Sequence, residues 1–378
     1  MNPIPNSKPY IPANAMENIA RAFASGKLSG DGAWCKKVER RLREDFAIPN
    51  AMLTSSCTHA LEIAAMLLNA APGDEVIMPS FTFVSSANAF MRCGMKPVFA
   101  DCDKHTLNIS PESVEAKITS RTRAVIPVHY AGVACQMDEL LTIAKRHSLY
   151  IIEDAAHAIG ATYKGAPLGT IGDIGCFSFH DTKNLCAGEG GAVCMRDSAL
   201  ARRAEIMREK GTNRTQFIRG EIDKYTWVDI GGSYILSEIL AAFLDAQFDS
   251  FDYIQTRRKW IHHFYMGALR EDEEQGLLRL PIIPPECESN WHLFYVLFPT
   301  EERRNAVMKY LKQNGITAPF HYVPLHTSPM GQTLGNAAGD LPVTENVSRR
   351  LLRLPLFPDL TQAECEYVVE KVKEGVII

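Results

Sequence analysis

Short apolar runs that end on polar residues recur through the first two-thirds of the chain. Val76-Ile77-Met78 runs into Pro79 and Ser80, Pro97-Val98-Phe99-Ala100 into Asp101, and Ala124-Val125-Ile126-Pro127-Val128 into His129. Tyr150-Ile151-Ile152-Glu153 ends at Asp154, Cys176-Phe177-Ser178-Phe179 at His180, and Ala192-Val193-Cys194-Met195 follows a glycine cluster. Runs that are apolar on both faces predict central strands of a mostly parallel sheet, buried on each side. Amphipathic spacing predicts helices over 58–69, 113–118 and 137–147 between them. The alternation implies an open α/β sheet with helices on both faces. Ligands of such sheets lie beyond the carboxyl ends of the strands, where Ser80, Asp101, His129, Asp154 and His180 stand.

The pattern changes after about residue 245. Helical spacing covers 257–269, 306–314 and 363–373, prolines break the chain between 281 and 285, and 291–298 alternates like a strand. We expect a large α/β domain over 1–245 and a smaller α+β domain over 246–378. A length of 378 residues suits two domains. With 46% hydrophobic and 22% charged residues, the chain can bury a large core without staples.

A net charge of -4 without any Lys/Arg block argues against a nucleic-acid partner, although one small diphosphate needs only a local basic spot. The ten cysteines contain no C-x-x-C pair, which points to reduced buried thiols and no metal site. The N-terminus has no basic-then-apolar pattern of a secretory signal, and no run of 18 apolar residues exists. A soluble cytoplasmic protein, not a membrane one, is expected.

Four segments carry candidate chemistry. Phe179-His180-Asp181-Thr182-Lys183-Asn184 leaves an apolar strand and precedes Gly188-Glu189-Gly190-Gly191. A lone lysine past a strand is ordinarily solvated. One held in a dry pocket loses its proton more easily and can attack an aldehyde, the requirement for a Schiff base. Asp154 either caps a following helix or, beside Ala155 and Ala156, pairs with a protonated pyridine nitrogen. His157 could reach a phenolate oxygen or be structural. Thr54-Ser55-Ser56-Cys57-Thr58 is a polar strand-to-helix turn, either simple capping or an anion cradle. Pro79-Ser80-Phe81-Thr82-Phe83 places aromatics past a strand end, for the core or for stacking on a flat ring. Their joint occurrence, in order and each at a strand terminus, favours a common site.

Residues 54–58, 153–157 and 177–191 resemble the signature segments of the DegT/DnrJ/EryC1/StrS sugar aminotransferase family, and the similarity runs over essentially the whole chain. The resemblance implies the fold type I of enzymes that use pyridoxal 5'-phosphate (PLP). It implies catalytic roles for Lys183, which would form the Schiff base with PLP, and Asp154, which would face the pyridine nitrogen. His157 would lie near the ring oxygen and Phe83 would stack on the ring. Ser56, Cys57, Thr58 and Ser178 would hold the phosphate, with His180 also beside the cofactor.

The family forms homodimers with shared sites. Pro79-Ser80-Phe81-Thr82-Phe83-Val84, Val128-His129-Tyr130-Ala131-Gly132-Val133-Ala134-Cys135, Gly211-Thr212-Asn213-Arg214 and Asp223-Lys224-Tyr225-Thr226-Trp227 resemble the subgroup that uses L-glutamate to aminate C4 of dTDP-4-keto-6-deoxyglucose, giving the galacto product. Arg214, Arg219, Lys224 and Tyr225 suit a nucleotide diphosphate, or belong to a solvated loop. His129, Tyr130, His321 and Tyr322 are candidates near the sugar. One departure stands out: Ile235 occupies the position where many relatives carry an asparagine that reaches the neighbour's phosphate. A C3- or gluco-specific member would share these motifs. A dehydratase on this scaffold would replace Lys183 with histidine. A non-enzymatic regulator is the contrasting class.

Overall fold

The computed structural model describes residues 3–377. Seven strands form one sheet: β1 Met52–Thr54, β2 Glu75–Pro79, β3 Lys96–Ala100, β4 Thr122–Val125, β5 Tyr150–Asp154, β6 Ile174–Ser178 and β7 Gly191–Met195. Their order is β1-β7-β6-β5-β4-β2-β3. Six of them, β2 to β7, are the expected runs, and both faces are covered. Leu53, Ile77, Val125, Ile151, Phe177, Ala192 and Cys194 enter one core, while Val76, Met78, Ala124, Ile126, Ile152, Cys176 and Val193 enter the other. Successive side chains point to opposite faces, so two buried faces remove the polar half of the pattern.

One strand departs from the parallel arrangement. β7 runs antiparallel to both β6 and β1. The intervening loop extends the ladder instead of crossing over: Phe179 N–H donates to Gly190 O at 2.8 Å and Ala187 N–H to Phe179 O at 2.7 Å. A parallel return would have needed a crossover, usually a helix.

The expected helix over 113–118 is shorter and earlier, Pro111–Glu115. Ser110 accepts from Ser113 N–H and Pro111 opens the first turn, so the cap sets the start.

The C-terminal part packs Phe251–Ala268, Glu301–Gln313 and Gln362–Ile377 on a two-stranded antiparallel sheet, β8 Phe294–Leu297 and β9 Leu351–Leu354. The chain has no break at 245/246, which lies inside the helix Glu238–Asp249. The change of core comes within the next helix, where Ile254 belongs to the sheet's core and Ile261 to the C-terminal one. The N-terminal segment also joins the C-terminal core: Ile4 is buried there, with Ile4 N–H donating to Gly315 O at 2.8 Å. Among the described residues, no helix is long and apolar enough to cross a membrane, and no cysteine is in a disulfide.

Candidate active site

Beyond the carboxyl ends of β5 and β6 lies a cavity of about 670 Å³. Ser56, Cys57, Thr58, Phe83, Asp154, His157, Ser178, His180, Lys183, His321 and Tyr322 all line it. Strand parity explains part of this convergence. Asp154 and Ser178 continue the face that carries Ile152 and Cys176, towards the start of the helix Cys57–Leu67. Glu153 points the other way and is fully buried. It accepts from the N–H groups of Gly169, Ile171 and Gly172 and pairs with His129 at 2.8 Å.

The helix Cys57–Leu67 begins against β7. A Cβ on Gly191 would sit 2.5 Å from Cys57 N, so only glycine lets this turn approach the sheet. Ser56 caps the helix by accepting from His59 N–H at 3.1 Å. The first-turn amides of Cys57 and Thr58 are left facing outward, a natural anion cradle. Burial, reinforced by Asp154, raises the Cys57 thiol well above its ordinary pKa, so it adds no charge against an anion.

Asp154 is 5% exposed and accepts from Ser86 Oγ at 2.7 Å and Ala156 N–H at 3.1 Å. No helix follows it; residues 155–161 are turns, which removes the helix-cap alternative. His157 stacks on His292 with ring centroids 4.3 Å apart. Burial, then the charge of Lys183, pushes its pKa well below 6.5. The ring is therefore neutral, and its buried Nδ1 has no partner. Phe83 is 58% exposed, in contrast to the fully buried Phe81. Its ring is thus a bare cavity wall and not a core side chain.

Lys183 lies on the loop between β6 and β7, which turns at Gly188 with φ +85°. Asn184 anchors this loop by donating to Asn290 O at 2.8 Å and bonding His292 Nδ1 at 2.9 Å. Burial lowers the Lys183 pKa from 10.5 to about 8, Cys57 and Asp154 opposing and Arg353 assisting. A neutral amine is the form that attacks an aldehyde. Capture of the aldehyde cofactor by cofactor-free protein should accelerate with rising pH and level off above about 8. Stopped-flow absorbance would measure it, and a midpoint near 10.5 would mean that the amine is solvated.

The orphaned His157 Nδ1, the outward amides and the low lysine pKa together suit a flat aldehyde bearing a phosphate.

Other candidates lie elsewhere. Arg214, Arg219, Lys224 and Tyr225 do not line the cavity of their own chain. Arg219 is paired with Glu205 at 2.9 Å and Glu221 at 2.6 Å, Arg214 with Glu209 at 3.2 Å, and Tyr225 packs on Phe217. Lys224 is exposed. His129 and Tyr130 are also absent from the lining. His129 is consumed by Glu153, and Tyr130 lies behind His321, bonding its Nδ1 at 3.0 Å. Ile235 packs against Gly30.

Sequence reasoning did not anticipate Asn6, Ser86, His292 or Arg353, all of which line the cavity. A lone arginine within Leu351-Leu352-Arg353-Leu354 reads equally as an exposed strand position. Among the described residues, no group of His, Cys, Asp and Glu is arranged to hold a metal.

The profile of the DegT/DnrJ/EryC1/StrS aminotransferase family matches residues 9–373. The spore coat polysaccharide biosynthesis protein SpsC of Bacillus subtilis is 34% identical, over 98% of this chain and 96% of that protein. Among solved structures, the PLP form of Spr1654 from Streptococcus pneumoniae superposes with a TM-score of 0.92 at 27% identity, covering 99% of each chain. DesV of S. venezuelae, solved with a ketimine intermediate, gives 0.90 at 32% identity over 100% of this chain and 99% of that one. The α/β architecture is accordingly that of the fold type I PLP-dependent aminotransferases. With its cavity built at the strand ends and nearly its whole length matched, the chain belongs to the DegT/DnrJ/EryC1/StrS aminotransferase family.

Proposed function

We propose that this aminotransferase moves an amino group from L-glutamate to C4 of dTDP-4-keto-6-deoxyglucose, giving the 4-amino-4,6-dideoxygalactose nucleotide. The observation that carries the reaction type is the meeting of Lys183, Asp154 and the start of the helix Cys57–Leu67 on one cavity. The cofactor is pyridoxal 5'-phosphate. When bound, it supplies an electron sink for the carbon whose C–N bond is exchanged.

The chain's own groups do the rest. Lys183 Nζ is the attachment point and, once released, moves the proton at the donor's α-carbon, a role suited to a pKa of about 8. Asp154 holds the pyridine proton, fixed in place by Ser86 and Ala156 N–H. The amides of Cys57 and Thr58, with Ser56 and Ser178, take the phosphate. Phe83 would cover one ring face and His157 would face the ring oxygen, with His180 bordering the site.

The working unit in this reading is a homodimer with shared sites. The exposed aromatic segment supports it: Trp227 is 78% exposed, beside Phe217 and Tyr225, and a surface of this kind is unusual on a monomer. In this reading Arg214, Arg219, Lys224 and Tyr225 would stand at the partner's cavity mouth, where a diphosphate would lie. His321 and Tyr322 stand near the sugar.

The substrate reading rests on the subgroup segments in the sequence, and product NMR tests it. A small H3–H4 coupling is expected, from an axial amine at C4. A large coupling would indicate the gluco epimer, and nitrogen on C3 would refute the assignment.

A further inference from the structure

Among the described residues, two donors on one wall of the cavity have no acceptor. Arg353 lies in β9, in register with Tyr295. Its backbone N–H donates to Pro319 O at 2.9 Å, but among the described residues its guanidinium makes no ion pair, and Nε is buried without a partner. Asn6 is tied to the same stretch, since Leu356 N–H donates to Asn6 O at 3.1 Å. Asn6 Nδ2 is also buried without a partner. Asn6, Arg353, Leu354 and Leu356 all line the cavity that holds Lys183.

The surroundings sharpen the imbalance. His157, His292 and His321 share the cavity, and burial keeps all three neutral. Asp154 is already engaged by Ser86 and Ala156 N–H. Two other guanidinium groups are engaged: Arg208 pairs with Asp31 at 2.7 Å and Glu39 at 3.3 Å, and Arg258 donates to His292 O at 2.9 Å. A partly buried cation without its anion is under-satisfied, and a guanidinium fork fits a carboxylate through two parallel hydrogen bonds.

Resting on the aminotransferase reading, we propose that Arg353 and Asn6 form the carboxylate site for the amino donor. The guanidinium takes both oxygens of the α-carboxylate, and Asn6 Nδ2 donates to one of them. The α-carboxylate is directly bonded to the carbon whose proton Lys183 moves, so it must lie inside this same cavity. The diphosphate of a sugar nucleotide is held off from a C4 carbonyl by the width of the sugar ring, and belongs nearer the mouth. The site also explains why the N-terminal segment is threaded back onto the C-terminal core at Ile4. That contact brings Asn6 to the cavity wall.

The test uses holoenzyme of the wild type, Arg353→Met and Asn6→Asp. Asn6→Asp places a carboxylate beside the guanidinium and should occupy it. Titration with L-glutamate is followed by loss of the aldehyde-cofactor absorbance. Calorimetry measures binding of glutarate, which carries carboxylates but no amine. The sugar-side half-reaction is measured separately with aminated cofactor and keto-sugar nucleotide.

The glutamate concentration for half-saturation should rise at least about 30-fold in Arg353→Met. Glutarate binding should be lost in both variants, and the donor half-reaction should suffer at least about tenfold more than the sugar half-reaction. Unchanged glutamate saturation and glutarate binding in folded Arg353→Met would overturn the site. So would equal losses in both half-reactions, which would give the guanidinium to the sugar nucleotide. If Arg353→Met fails to fold by thermal melting, Asn6→Asp decides by the same criteria. A wild-type holoenzyme whose absorbance responds to no L-amino acid overturns the aminotransferase reading, and the carboxylate site falls with it.

Discussion

Lys183→Ala is expected to lower turnover by at least about 10⁴-fold, because one side chain serves as both attachment point and proton carrier. The cofactor should still bind, since the helix start at Cys57 and Thr58, the Phe83 wall and Asp154 are untouched by the substitution. Borohydride treatment of the wild type should fix the cofactor on Lys183, read by peptide mapping; an adduct on another lysine would refute the assignment. The variant should fold at least as well as the wild type, because alanine removes a desolvated ammonium. The sign can be checked on cofactor-free protein. With its pKa lowered from 10.5 to about 8, the folded chain binds fewer protons than the unfolded chain between those values. Wild-type stability therefore gains from this residue as pH rises through that window, and Lys183→Ala should lack the gain.

Asp154→Asn is expected to cut turnover by roughly 10²–10³-fold, while changing stability by only about 1–3 kcal/mol through a lost buried hydrogen bond. The substitution keeps size and one acceptor oxygen, so one of the bonds from Ser86 Oγ and Ala156 N–H can survive. It removes the negative charge that would hold a proton on the pyridine nitrogen. Steady-state kinetics and thermal melting on the same preparation separate the two effects. Activity within about threefold of wild type would mean that the carboxylate is only a scaffold for the turn at residues 155–161, since the loss argued from its charge would be absent.

That Lys183, Asp154 and the helix start at Cys57 would stand at the strand ends, where the cavity lies, was legible because each depends on local pattern. Two buried sheet faces produce unbroken apolar runs, and the residue that ends such a run must stand at the sheet's edge. Asp154, Ser178 and Lys183 follow from that rule, as does the turn at Ser56. The same rule offered His129 as a candidate that does not line the cavity. It ends its run as expected, but the buried carboxylate of Glu153 claims it. The basic aromatic segment around Arg219 has the composition of a diphosphate site, yet within one chain its charges are matched by Glu205 and Glu221.

Sequence by itself determined the central strands β2 to β7, six of the helices, and the residues at the strand ends, since these reflect hydrophobic period and local capping. It could not reveal that β7 reverses direction, because an apolar run reads the same both ways and only the ladder from Phe179 to Gly190 sets its sense. Nor could it bring Asn6 and Arg353, at opposite ends of the chain, to one wall. That convergence depends on Ile4 entering the C-terminal core and on β9 pairing with β8. Neither contact has a local signature, because the free energy that secures it comes from burying apolar surface supplied by distant segments.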